Sequence, residues 1–167
     1  MCILLVSIGL SISPLTLLGD EPLRNPLFKI ERNTNANIIQ YDAQLGPDKR
    51  LLKKEPVVAY WIRLAEQGQE QQLSYIQKTF AYGFDARLDR NADTLVLEMK
   101  AEIGRPIIVK KMESDYRATA VIDGSDSLVE RIFIQASGKG MSTSVEYIEL
   151  YGIDIKSGEK RYERFVP

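Results

Sequence analysis

Oxygen-bearing side chains at alternate positions, Asp89, Asn91 and Asp93, copy the first three ligand positions of a calcium loop. The copy ends there. Thr94 stands where the sharp turn needs glycine and Lys100 where a bidentate glutamate should close the site, so a plain hairpin turn is the expectation. The stretch Gly138, Lys139, Gly140, Met141, Ser142 and Thr143 has phosphate-loop composition. It lacks the preceding glycine at the required spacing and the strand-to-helix unit that would aim backbone N–H groups at a phosphate. Ser157 and Lys160 fit a Ser-x-x-Lys nucleophile pattern, but that chemistry needs a helical turn between them and Gly158 makes this a hairpin tip. Glu146, Glu149 and Asp154 offer carboxylates for acid and base work; alternation along a strand sends Glu146 and Glu149 to opposite faces.

Absence excludes more than these motifs supply. The chain has no histidine, and its one cysteine is Cys2. Residues 20–167, which hold neither cysteine nor histidine, therefore exclude thiol nucleophiles, histidine-dependent triads, the usual zinc sites and disulfide scaffolds. No metal and no cofactor is expected. With 22 basic against 23 acidic residues and a formal charge of −1, it lacks the charge for a broad nucleic-acid footprint. Lys49, Arg50, Lys53 and Lys54 form one basic run, but Asp48 and Glu55 flank it and a solvated loop explains it.

Aromatic residues carry the better binding signal. Tyrosine joins apolar area to one polar handle, and eight tyrosines are present, among them Tyr60, Tyr147 and Tyr151. Alternation places Arg63 on the same strand face as Trp61 and Ala59. If that face lines a cavity, a cation beside an aromatic ring selects an anionic head group with an apolar tail. If it does not, Arg63 pairs with a nearby carboxylate at the surface. Tyr60, Trp61, Arg63, Tyr147 and Tyr151 are the candidate ligand-binding residues; no catalytic residue is assigned.

These side chains must be positioned by strands. Leu95, Leu97, Met99 and Ala101 alternate with Val96, Glu98, Lys100 and Glu102, the signature of a strand with one buried face. Similar runs span 27–32, 37–44, 57–66, 84–88, 107–113, 116–123, 128–136, 145–155 and 161–166. That makes about ten strands at hairpin spacing, with turn chemistry at Asn33 to Asn35, Asp123-Gly124 and Ser157-Gly158. The expected fold is mainly β, an antiparallel meander forming a barrel or flattened barrel with one inserted helix. That helix is expected over 70–82, with Leu73, Tyr75, Ile76 and Phe80 as the stripe that covers the doubly apolar strand at 57–62, and Gly83 as its stop. A phase slip centred on Gly152 predicts a bulge.

The first nineteen residues hold no charged side chain and are rich in Ile, Leu and Val. They read as an export signal over 1–19 that removes Cys2 with it, leaving a single β-rich domain at 20–167 in the periplasm or outside the cell. The rival, a membrane anchor, wants roughly 20 apolar residues, and Ser7, Ser11, Ser13, Pro14 and Thr16 dilute the segment. Membrane contact is expected only through this segment if it stays uncleaved.

The run Asn33-Thr34-Asn35-Ala36-Asn37-Ile38-Ile39-Gln40-Tyr41-Asp42, followed by Glu55-Pro56-Val57-Val58-Ala59-Tyr60-Trp61-Ile62-Arg63, resembles a bacterial family catalogued only as a domain of unknown function, number four-eight-three-three. The resemblance covers nearly all of the chain after the signal and implies a small exported protein. It brings no activity, ligand or catalytic residue with it. Two functions remain in view. The first is a non-catalytic binder of a small amphipathic ligand, lipid or glycan, and the second is a structural or protein-interaction module of the cell envelope. An enzyme comes third, because it would need clustered carboxylates around a pocket.

Overall fold

The computed structural model describes residues 22–89, 93–101, 103–138 and 143–167. The expected signal at 1–19, Asn91 of the calcium-like loop and residues 139–142 of the glycine-rich stretch lie outside that set. The described chain runs through β1 (Leu23–Arg32), β2 (Asn35–Leu45), β3 (Val57–Arg63), β4 (Gln69–Gln72), α1 (Tyr75–Phe80), β5 (Phe84–Leu88), β6 (Thr94–Met99), β7 (Ile107–Met112), β8 (Asp115–Ile122), β9 (Ser125–Ser137), β10 (Ser144–Asp154) and β11 (Lys160–Phe165). The mainly β class follows from the period-two patterning, and the strands lie in one curled sheet of barrel-like form. No helix among the described residues is long and apolar enough to cross a membrane.

The sheet follows the order β4-β3-β2-β1-β9-β8-β7-β6-β5, with β10 on β9 and β11 on β10. The thirteen-residue strand β9 is its spine. One edge of β9 pairs with β10 over Ser127 to Ser137. Its other edge is shared, Ser125 to Leu128 going to β8 and Arg131 to Ile134 going to β1. The β1–β9 pairing is parallel, the one departure from the antiparallel meander. Two wings therefore leave β9 and curl toward each other. Asn25 on β1 accepts the backbone N–H of Tyr116 on β8 at 2.6 Å, and Phe84 on β5 meets Tyr41 on β2 with ring centroids 6.1 Å apart.

Inward alternation fills the concave side. Ile30, Ile39, Tyr41, Leu95, Leu97, Val109, Ile132 and Ile148 are fully enclosed. Each such aliphatic side chain contributes about 1.5–3 kcal/mol of burial. Phe28 stacks on Tyr41 at 4.5 Å. At the β8–β9 turn, Asp123 and Gly124 both take positive φ, 48° and 73°, the mirror-image turn that suits the twist of a two-residue hairpin.

Three expectations are corrected. The helix is α1 over Tyr75–Phe80, shorter than 70–82, because Gln69–Gln72 pairs with β3 instead. That run has no apolar periodicity to make a helix worthwhile, and Gln67 and Gly68, both at positive φ, turn it back along the open edge of β3. Ser74 and Gln77 then form a reciprocal capping box that starts the helix. Second, the expected stripe does not cover the sheet. Leu73 is buried, but Tyr75, Ile76 and Phe80 are 81%, 70% and 73% exposed. The outward ring of β3, Tyr60, is covered by Arg24, which lies 5.0 Å from its centroid. Third, the irregularity at Gly152 belongs to the partner strand. Tyr151 pairs with Arg131 and Gly152 with Val129, so the extra residue is Glu130 on β9.

Candidate functional site

On β3, Val57, Ala59 and Trp61 point into the curl, since their partners on β2 are the core residues Ala43, Tyr41 and Ile39. Trp61 stands near the end where β1 closes and β2 opens. Its ring meets Tyr82, just past α1, edge-on at 5.4 Å, and its Nε1–H donates to Gln77 Oε1 at 3.2 Å. The helix is thereby fastened to this mouth of the curled sheet, and its apolar side faces outward beside it.

Arg63 does not supply the cation for Trp61. A 3₁₀ turn over Leu64–Glu66 brings Glu66 back to it, and the pair closes at 2.5 Å. The cation is Arg32, the last residue of β1, with its guanidinium carbon 5.8 Å from the Trp61 ring and 4.9 Å from the Tyr82 ring. The signal for Arg32 is a simple one. It stands two residues beyond the core residue Ile30 and so follows the inward alternation, but it belongs to a strand distant in sequence from Trp61.

Arg32 has an unusual electrostatic position. Its Nε is buried without an acceptor, and no carboxylate among the described residues forms an ion pair with it. The Tyr82 hydroxyl is likewise buried without a partner, although Tyr82 is only 2% exposed and its backbone carbonyl is taken by Tyr41 Oη at 2.7 Å. Burial pushes the Tyr82 pKa up against the opposing charge of Arg32, so the hydroxyl keeps its proton. The guanidinium thus stacks on two aromatic rings beside a protonated phenol, with no carboxylate among the described residues against it.

The other candidates are placed elsewhere. Tyr60 faces outward and donates to the buried carboxylate of Asp42 at 2.6 Å; desolvation and this bond push its pKa well above the ordinary value. Tyr147 and Tyr151 lie on the outer face of β10. Tyr151 donates to Glu149 at 2.6 Å, with the Arg131 guanidinium 3.7 Å from its ring. Tyr162 and Arg164 of β11 also donate to Glu149, and Arg164 stands 4.2 Å over Tyr147. Burial alone would raise the pKa of Glu149, but the bonds from Tyr151, Arg164 and Tyr162 bring it below the ordinary range. The five residues thus fall in four places, and only Trp61 is at the mouth.

The catalytic motifs do not assemble. Asp154 is held by the backbone N–H groups of Lys156 and Ser157 and by Arg161, which bring its pKa down to about 2. It alternates onto the face opposite Glu149, so the two make no acid–base pair. Asp89 spends one carboxylate oxygen on the N–H groups of Asp93 and Thr94, as a hairpin turn does. No curated protein and no solved structure matches the chain. The sequence pattern of one family, described as Domain of unknown function (DUF4833), matches residues 28–164, which span the mouth, β9 and the β10–β11 face, and the chain belongs to that family.

Proposed function

We propose that this protein is a non-catalytic binding module, working outside the cytoplasm, that holds a small amphipathic ligand by its anionic head at Arg32. The observation that carries the reading is the Arg32 guanidinium, stacked beside Trp61 and Tyr82 with no protein acceptor for its Nε. The Tyr82 ring, 4.9 Å from the guanidinium carbon, holds that cation in place. An apolar tail has somewhere to go, because Phe80 lies two residues before Tyr82 and, with Ile76, exposes the apolar side of α1. The site thus lies at the mouth, and the packed concave side serves as its support.

Trp61 is the sole tryptophan, which makes its fluorescence a local reporter. Titration with dodecanoate should change that emission saturably, and dodecanol, which shares the tail without the charge, should bind about tenfold more weakly or worse. Arg32→Gln should erase the difference between them. Equal affinity for the two probes, or an Arg32→Gln protein that still prefers dodecanoate, would sink the reading. A protein-interaction module is favoured instead by the exposed Tyr75, Ile76 and Phe80. In that case neither probe perturbs Trp61, and substitutions on α1 alter association while Arg32→Gln does not.

A further inference from the structure

A second basic surface lies away from the mouth, where the bulge at Glu130 opens the outer side of β9 and β10. It forms a hollow of about 420 Å³ whose lining includes Lys29, Glu130, Arg131, Tyr151, Lys160 and Arg161. We infer that this hollow is a binding site for a tetrahedral oxyanion of the phosphate or sulfate class.

The cations come from three strands, Lys29 from β1, Arg131 from β9, and Lys160 and Arg161 from β11, and Glu130 is the one carboxylate lining the hollow with them. Approach from several directions suits a tetrahedral group, whose oxygens point apart, better than a planar carboxylate. The side chains are also held in place. Glu31 takes Lys29 at 2.7 Å and Arg131 at 3.0 Å, and Asp154 takes Arg161 at 3.2 Å. Arg131 lies flat on the Tyr151 ring, which Glu149 fixes through the tyrosine hydroxyl. Counting Glu31, Asp154 and the largely exposed Glu159, 3.9 Å from Arg161, with Glu130 balances the four cations, so the hollow offers local donors and not a net charge.

Two observations show unspent capacity. Lys160 forms no ion pair among the described residues, and the Nε of Arg161 is buried without an acceptor. Three of the four cations are partly covered, 39%, 33% and 29% exposed at Lys29, Arg131 and Arg161, while Lys160 is exposed. A charge that far covered is screened less than one standing free in water, so a doubly charged oxyanion gains more here than at a solvated lysine patch. None of these residues belongs to the Arg32 site. The inference stands or falls apart from the proposed function.

The test is a titration of the full chain with inorganic phosphate, and separately with sulfate, followed by backbone amide resonances. Saturable shifts are expected at Arg131, Tyr151, Gly152 and Lys160, weakening as sodium chloride is raised. Lys29→Gln combined with Lys160→Gln should lower the affinity about tenfold or more, whereas Arg32→Gln should leave it unchanged. A second arm offers vesicles of phosphatidic acid in phosphatidylcholine against phosphatidylcholine alone. Binding to the charged vesicles assigns the oxyanion to a lipid head group, and binding to free phosphate alone assigns it to a solute. Shifts that never saturate in either arm, or an unchanged affinity in the double variant, overturn the inference.

Discussion

Four arginines among the described residues stand over tyrosine rings, and two of them, Arg164 and Arg32, differ in what else they touch. Arg164 lies 4.2 Å over Tyr147 and also gives Nε and Nη2 to Glu149. Arg32 lies 4.9 Å over Tyr82 and its buried Nε finds no acceptor. Register explains the difference. Arg164 pairs across the ladder with Glu149, which sits two residues from both Tyr147 and Tyr151. Arg32 pairs with Asn35 on one side and Ile134 on the other, and neither brings a carboxylate. Stacking on an aromatic ring orients a guanidinium without satisfying it; a carboxylate in register closes it. The β10–β11 face near Glu149 is therefore a closed structural network, and the mouth is an open one.

The largest effect should come from breaking the closed region at its backbone. A Cβ on Gly152 would meet the Leu128 carbonyl oxygen at 2.1 Å and Ile122 Cδ1 at 2.8 Å. Since the nearer atom is backbone, Gly152→Ala should cost about 3 kcal/mol, read as a lower urea midpoint with an unchanged slope. A midpoint that stays put would mean that β9 and β10 slide past each other freely at the bulge, and the face is not rigid.

Glu149→Gln tests the network at its centre and should cost about 1.5 kcal/mol, since Tyr162 and Arg164 are half open to water and can be solvated again. The pH dependence carries the sharper signature. The folded state lowers the pKa of Glu149, so its contribution is complete above the ordinary glutamate value of 4.5 and is lost as pH falls below it. The amide that replaces this carboxylate has no proton to take up, and the fall in stability just below pH 4.5 should flatten in the variant. Asp154, brought from 3.8 to about 2, loses its contribution between those values in both proteins. Denaturation midpoints at stepped pH separate the two carboxylates. Identical profiles for both proteins would show that Glu149 is not the charge that closes this face.

Strand formation is legible wherever side chains alternate, and so ten of the eleven strands among the described residues can be read from the chain. The exception, Gln69–Gln72, has four polar residues and exists because β3 has an edge to pair; nothing local announces that. The parallel joining of β1 to β9 was equally silent, being a contact about a hundred residues apart. At the site, alternation placed Trp61 and Arg63 on one strand face. What it could not see was Glu66 returning through a 3₁₀ turn to take Arg63, or Arg32 arriving from β1 to replace it. Tyr147 and Tyr151 drew notice as aromatic residues, whereas the residue that organises them is Glu149, visible only once Arg164 stands opposite it.

The smallest expected effect is also the one that discriminates most between an open and a closed arginine. Arg32→Gln removes stacking on Tyr82 and Trp61 worth about 0.5–1 kcal/mol. It also removes a buried N–H that has no acceptor, and relief of that cost runs the other way. The two nearly cancel, so stability should change by less than about 0.5 kcal/mol, while Arg164→Gln, which strips Glu149 of two bonds, should lower the urea midpoint clearly. Urea unfolding followed by Trp61 fluorescence measures both on one scale. If Arg32→Gln proved as costly as Arg164→Gln, the mouth would owe its shape to Arg32 and the guanidinium would be a fastening. If it proves neutral, Arg32 is held ready at little benefit to the fold, as expected of a side chain whose partner is not part of the protein.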